Sequence, residues 1–211
     1  MEHKNISLAD QVFERLEGDI LSGKYERGEV LTEMKLCADM GVSRTPIREA
    51  AHRLAQEHLV LMTTKGITIL GVTDKDLVDI YDIRMRLEGM AAALAARNAS
   101  DEQIEKMREA LDLQEFYSVK KDADHIKSMD SSFHDLLYAA ADSTVLYDTL
   151  IPLHKKTQKY RKASVENQSR AEASLSEHRE IFVAIAAHDE AAAEAAMRLH
   201  VENAKKHIMK G

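Results

Sequence analysis

The chain has one cysteine, two prolines, eight glycines and no tryptophan in 211 residues. A lone Cys37 cannot close an internal disulfide, and its apolar helical setting, between Leu36 and Met40, marks it as a buried structural thiol. So little glycine and proline beside 45% hydrophobic and 31% charged residues excludes collagen-like and disordered chains. It favours long helices over a strand-rich sandwich or barrel. No run approaches the roughly 18 apolar residues of a membrane span. The opening Met-Glu-His-Lys lacks a basic stretch followed by an apolar one, so a soluble cytoplasmic protein without a membrane partner is expected. Basic charge is short as well: 29 Lys and Arg against 36 Asp and Glu leave a net charge of -7, not the balance of a protein that coats nucleic acid.

Six of the eight glycines (18, 23, 28, 41, 66 and 71) fall in the first 71 residues. The spacing predicts a boundary near Gly71–Thr73, with a small mixed domain over 1–72 and an all-helical one over 73–211. Up to Val72 there are nine basic and eleven acidic residues, a net of -2, which leaves -5 for the remainder.

In the first domain, Val12, Leu16, Ile20 and Leu21 recur at helical spacing and stop at Ser22-Gly23. A short helix is expected over Glu33–Met40, closed by Gly41. A third starts at an N-cap Ser43, with Pro46 in its first turn, and buries Ile47, Ala50, Ala51 and Leu54. Leu59–Met62 and Ile67–Leu70, joined by Thr63-Thr64-Lys65-Gly66, read as a β-hairpin. Helix, helix, turn, helix, hairpin is the order of a winged helix-turn-helix, whose third helix enters the major groove of double-stranded DNA. Arg44, Thr45 and Arg48 lie in the first turn and a half of that helix. Arginine there pairs with guanine or phosphate and threonine touches a phosphate or a thymine methyl. Ser43 before the helix, Lys35 on the second helix, and Lys65 and Gly66 at the hairpin tip complete the candidate DNA contacts. The plain alternative is a set of solvated arginines on an exposed helix face.

The run Gly41-Val-Ser-Arg-Thr-Pro-Ile-Arg-Glu-Ala50, with Arg53-Leu54 and Glu57-His-Leu59-Val60, resembles the DNA-binding domain of the GntR family of bacterial transcription regulators. Ile20–Leu31 resembles the family's first helix end and turn. Arg27 stands where the family usually has proline, and His58 where it usually has glycine, a substitution expected to strain the entry to the hairpin. Residues 73–211 resemble the FCD effector domain of the FadR-like branch, through Asp79-Ile-Tyr-Asp-Ile-Arg84-Met-Arg-Leu87-Glu88 and the alanine-rich stretch that follows. The domain's shortness suggests the six-helix, VanR-like subgroup.

From its own residues the second domain reads as six helices: 74–98, 101–121, 123–141, 144–165, 170–187 and 189–209. Ile126, Met129, Phe133, Leu136, Leu137 and Ala140 form a core stripe, with Asp130 and His134, four apart, along its edge. His178 shares a face with Leu175, Ile181, Phe182 and Ile185, and His200 with Ala196, Met197 and Ala204. Unpaired buried imidazoles cost about 1–3 kcal/mol each, so a common partner is the economical account. Asp130, His134, His178 and His200 offer one oxygen and three nitrogens, a set suited to zinc or nickel and also to manganese, cobalt or iron. The alternative is four core-edge groups, each with its own hydrogen bond. The resemblance implies the metal, because the FCD motif places Asp or Asn four before a His, then one His on each of the last two helices.

His154 remains open as a further wall of the same cavity; His125, His188 and His207 are expected in solvent, His3 in a loose tail, and His52 and His58 at the border of the DNA-binding domain. Arg84, near Glu88, is the candidate for holding an anionic effector; either Glu88 or the ligand is its carboxylate partner. In the family the matching arginine faces the pocket, which implies a small organic or sugar acid between metal and Arg84. Asn203 is a second candidate effector contact, or a support for His200. The expected function is thus a ligand-responsive regulator, homodimeric on a palindromic operator. The alternatives are a metal-dependent enzyme in a helical bundle, disfavoured by the lack of Glu-x-x-His and His-Glu-x-x-His motifs, and a regulator whose metal is structural.

Overall fold

The computed structural model describes residues 7–157, 159–161 and 167–209. It separates into two compact units, Met1–Asp74 and Lys75–Gly211.

The first unit opens with α1 (Leu8–Leu21), started by a capping box in which Ser7 and Asp10 satisfy each other's backbone N–H groups. β1 (Val30–Leu31) leads into α2 (Glu33–Met40), capped by Thr32 and closed by Gly41 in the left-handed conformation. α3 (Arg44–Gln56) then buries Pro46, Ile47, Ala50, Ala51 and Leu54 against the other helices. Ser43 occupies the N-cap position but its hydroxyl makes no capping bond, unlike the expectation. The hairpin strands are β2 (Val60–Thr63) and β3 (Gly66–Ile69), each displaced one residue from the sequence reading. β1, too short to carry a periodic signal, pairs antiparallel with β3, giving a three-stranded sheet in the order β1-β3-β2. Cys37 is half-buried rather than buried and packs against this core.

Two backbone positions hold the wing. Gly66 has φ +136°, and a Cβ there would sit 2.6 Å from the Leu31 carbonyl oxygen, so no other residue lets β1 approach this closely. His58 has φ +59°, a left-handed conformation that glycine adopts without a Cβ penalty. His58 adopts it at the entry to β2, immediately before the fully buried Leu59.

The second unit consists, among the described residues, of α4 (Asp74–Asn98), α5 (Asp101–Lys120), α6 (Ala123–Ala140), α7 (Thr144–Lys156), α8 (Gln168–Ala186) and α9 (Glu190–Ile208). Three joints use the same device: Lys121, Asp142 and His188 have left-handed φ near +55°, and Asp122, Ser143 and Asp189 immediately cap the next helix. His188 is exposed, as expected, and its Nδ1 lies 2.7 Å from the Ala96 carbonyl oxygen. The expected fourth helix ends at Lys156; Tyr160 and Arg161 lie in a further helical turn, and 162–165 fall outside the described residues. α5 packs on α6 and α8, α8 on α9, and α6 on α7. Ala91, Ala92, Ala95 and Ala96 are all buried on α4, where small side chains allow close helix approach. No helix among the described residues is long and apolar enough to cross a membrane.

Candidate metal centre and DNA-reading surface

Asp130 and His134 on α6, His178 on α8 and His200 on α9 are all buried and converge. One ligand atom from each of the three imidazoles lies within 4.8 Å of the other two. His178 Nε2 is 3.3 Å from His200 Nε2 and 3.6 Å from Asp130 Oδ1.

The outer nitrogens decide what those Nε2 atoms carry. His200 Nδ1 lies 2.7 Å from the Glu177 carboxylate, which only accepts, so the proton is on Nδ1 and Nε2 keeps its lone pair. His178 Nδ1 faces Gln114 Oε1 at 3.2 Å and donates to it, which leaves a second lone pair on its own Nε2. Two lone pairs thus point at each other, an arrangement that repels unless a cation lies between them. Two nitrogens each about 2.0–2.1 Å from a zinc-sized ion, at the tetrahedral angle, lie roughly 3.3–3.4 Å apart. The donor set and its spacing fit a divalent transition metal.

Each ligand also has a support behind it, as metal-binding histidines require. His134 Nδ1 is 3.3 Å from the Tyr138 hydroxyl and 3.5 Å from Glu88 Oε2. Asp130 Oδ2 takes a hydrogen bond from Arg161, which also donates to Ser131 Oγ at 3.1 Å; the other Asp130 oxygen remains turned to His178. Glu177 accepts both from His200 and, through a two-pronged contact at 2.8 and 2.9 Å, from Arg170. Burial opposes the charge on Glu177, but these hydrogen bonds outweigh it and hold the carboxyl down at about 2. Burial holds His178 well below the ordinary imidazole range and takes His200 down to about 4, the latter against the pull of Glu177.

Asn203 is in this support and not in the cavity wall: its Nδ2 donates to Glu177 Oε1 at 2.9 Å. Of the two roles open to it, this bond fits the support of His200, because one turn of α9 past His200 brings it to the carboxylate behind the imidazole. His154, left open by the sequence, is buried with its ring 4.6 Å from that of His134, and it forms a second close group with Asp130 and His134.

Arg84 is 3% exposed and donates through Nε to Glu88 Oε1 at 2.5 Å and through Nη1 to Thr157 Oγ1 at 3.2 Å. Of the two partners left open for it, the protein supplies Glu88. Burial works against the guanidinium charge, yet Glu88 overrides it and raises the arginine further. Arg84, Asp130, His134 and His200 line one small concavity, with about 40 Å³ of room inside it, together with Tyr81 and Arg161. Gln114, Arg161 and Arg170 carry no site signal in the sequence. Glu177 had one available signal, its place beside His178, but neighbours on a helix face different ways, so this did not point to His200.

In the first unit, Ser43, Arg44, Thr45 and Arg48 are exposed at the start of α3. Arg48 Nε donates to Glu33 Oε1 at 2.7 Å, and Lys35 Nζ lies 4.0 Å from Glu29 Oε1. Such exposed pairs are worth little and exchange readily for phosphate. Lys65 is exposed at the hairpin tip, while Gly66 beside it serves the approach to Leu31. Arg53 is committed elsewhere, stacked 3.9 Å over the Phe13 ring and bonded to Asp10.

Residues 8–68 match the model of the bacterial regulatory proteins of the gntR family, and 79–203 match that of the FCD domain. The chain is 29% identical over 201 residues to the uncharacterized HTH-type transcriptional regulator YdhC of Bacillus subtilis, covering 94% of this chain and 89% of that protein. It is 35% identical over 118 residues to the gluconate operon transcriptional repressor of Bacillus licheniformis, a match spanning 56% of this chain and 49% of that one. The solved structure of E. coli McbR/YncC superposes with a TM-score of 0.83 over 97% of this chain and 98% of the other, at 22% identity, a likeness of fold. With a winged helix-turn-helix that exposes the start of α3 and a helical unit matched over most of its length, the chain belongs to the gntR family of bacterial regulatory proteins, in its FCD-containing form: a DNA-binding transcription regulator, not an enzyme.

Proposed function

We propose that this regulator responds to a small organic or sugar acid bound at a divalent metal ion in the helical unit. The observation that carries the reading is the approach of the His178 and His200 Nε2 atoms to 3.3 Å, with their Nδ1 atoms turned to Gln114 and Glu177, beside a cavity walled by Arg84. A cation between the Nε2 atoms removes their repulsion, with His134 and Asp130 as the remaining donors. Zinc and nickel suit this set best, and manganese, cobalt and iron are compatible. When bound, the ion supplies a Lewis-acid position for a carboxylate. Arg84 offers the cavity a guanidinium already held in place by Glu88 and Thr157.

The regulator acts as a homodimer on a palindromic operator, one α3 per half-site, with Arg44, Thr45 and Arg48 at base edges or phosphates, Ser43 and Lys35 beside them, and the Lys65-Gly66 tip near the backbone. Operator pseudo-symmetry mirrors protein two-fold symmetry in helix-turn-helix dimers. For the acid to act as a signal it must bind the operator-competent and operator-incompetent dimers with different affinity.

The test is operator binding by the full chain after metal removal and reloading, with organic and sugar acids added. An acid that changes operator affinity in the loaded protein, and not in the stripped protein or in His178→Ala, supports the reading. Equal responses in all three remove the metal from it.

A further inference from the structure

We infer that the cavity beside the metal centre carries a second recognition point, the Tyr81 hydroxyl with Arg161 and Arg170, and that its ligand is a small dicarboxylate. This rests on the metal reading above.

The first observation is an unanswered group. Tyr81 is 1% exposed and lines the cavity, yet its hydroxyl makes no hydrogen bond among the described residues. Buried hydroxyls are nearly always bonded, and one left unbonded at a cavity wall belongs to what fills the cavity. Its ring is packed under Arg84, whose guanidinium carbon is 5.0 Å from the ring centroid, so the hydroxyl is fixed in place.

The second observation is charge. Among the described residues three arginines line the cavity, and each is paired with one carboxylate: Arg84 with Glu88, Arg161 with Asp130, Arg170 with Glu177. The three pairs sum to zero. Metal-ligating imidazoles are neutral, so a divalent ion brings the buried cluster to two positive charges. Uncompensated charge in a part-closed, low-dielectric site is costly, and a ligand with two negative charges cancels it, whereas a monocarboxylate leaves one behind. One carboxylate belongs at the ion and Arg84. The other is met by Arg161 or Arg170 and accepts a hydrogen bond from Tyr81. Charge on two separated groups fits two recognition points better than a phosphate, whose charge sits at one.

The experiment uses the full chain loaded with zinc and titrated calorimetrically with malonate and succinate, against acetate, propionate, gluconate and inorganic phosphate at fixed pH and ionic strength. A dicarboxylate is expected to bind about tenfold or more tightly than any of the four controls, since a site with built polar partners discriminates strongly against ligands that leave them unmet. Tyr81→Phe removes only the unbonded oxygen. It is expected to keep zinc content and thermal midpoint unchanged and to lose about fivefold or more of the dicarboxylate affinity. Acetate, gluconate or phosphate binding as tightly as the best dicarboxylate overturns the inference, as does a Tyr81→Phe protein that binds it as well as the wild type. Those results with zinc retained leave the metal reading standing. A chain that takes up no zinc or other divalent ion overturns both.

Discussion

Glu177 is next to His178 in the chain, but its carboxylate holds the other helix's histidine, His200, at 2.7 Å. The contact joins α8 to α9 behind the proposed ion, and the same carboxylate takes the two-pronged bond from Arg170, which lines the cavity. One side chain therefore links a candidate metal ligand to the cavity wall.

Removing that carboxylate should weaken metal binding without abolishing it. Glu177→Ala is expected to lower zinc affinity by about 10- to 100-fold, the usual effect of losing a group that orients a ligating imidazole. Glu177→Gln keeps an acceptor for His200 and should fall in between. Competition against a chelator of known affinity measures both. Wild-type affinity in Glu177→Ala would show that His200 needs no such support.

His178→Ala should lose the metal, because it deletes one of the two facing Nε2 donors. Elemental analysis of the purified variant decides it, and an unchanged metal content would break the ligand assignment.

Acid should destabilise the metal-free protein. His200 is held at about 4 in the folded chain against an ordinary 6.5, chiefly by burial. A base whose folded value is depressed stabilises the fold above its unfolded value and loses that contribution as pH falls. The unfolded chain takes up the proton from about pH 6.5 downward, and the folded chain not until about 4. The thermal midpoint of chelator-treated protein is therefore expected to drop between these values. His200→Gln should flatten that part of the profile. A midpoint independent of pH over the window contradicts the expectation.

On the DNA side, Arg48→Ala should cost about 1–3 kcal/mol of specific operator affinity if the side chain reaches a base, and should act on all sequences alike if it reaches only phosphate. A footprint of full strength removes Arg48 as a reader. Its ion pair with Glu33 is exposed, so the substitution should leave the thermal midpoint nearly unchanged.

Gly66→Ala should loosen the wing, since the added Cβ meets the Leu31 carbonyl at 2.6 Å from a backbone at φ +136°. A cost of about 1–3 kcal/mol is expected. Denaturant unfolding of the full chain measures it. No change would mean that β1 separates from β3 at little cost.

Much of this molecule was already legible in the order of its residues, and the reason is locality. Helical spacing, the left-handed joint residues Lys121, Asp142 and His188, and the caps Asp122, Ser143 and Asp189 act within a turn or two of themselves, so the bundle's joints stand where the sequence places them. The inward faces of His134, His178 and His200 follow from the apolar residues three and four positions away, by the same short-range rule. β1 escaped that rule, because two residues have no period and only pairing with β3 makes them a strand. Asn203 escaped it too: helical spacing put it near His200, but whether it faced the cavity or Glu177 depended on α8.

The sequence by itself determined a winged helix-turn-helix followed by a helical bundle, and which residues had the chemistry to form a centre. Tertiary packing alone decided which nitrogen of each imidazole faces inward, which carboxylate steadies which histidine, and that the Tyr81 hydroxyl is left without a partner. Those are relations between atoms on different helices, separated by 23 residues for Glu177 and His200 and by 64 for Gln114 and His178, and no periodic pattern extends across such gaps.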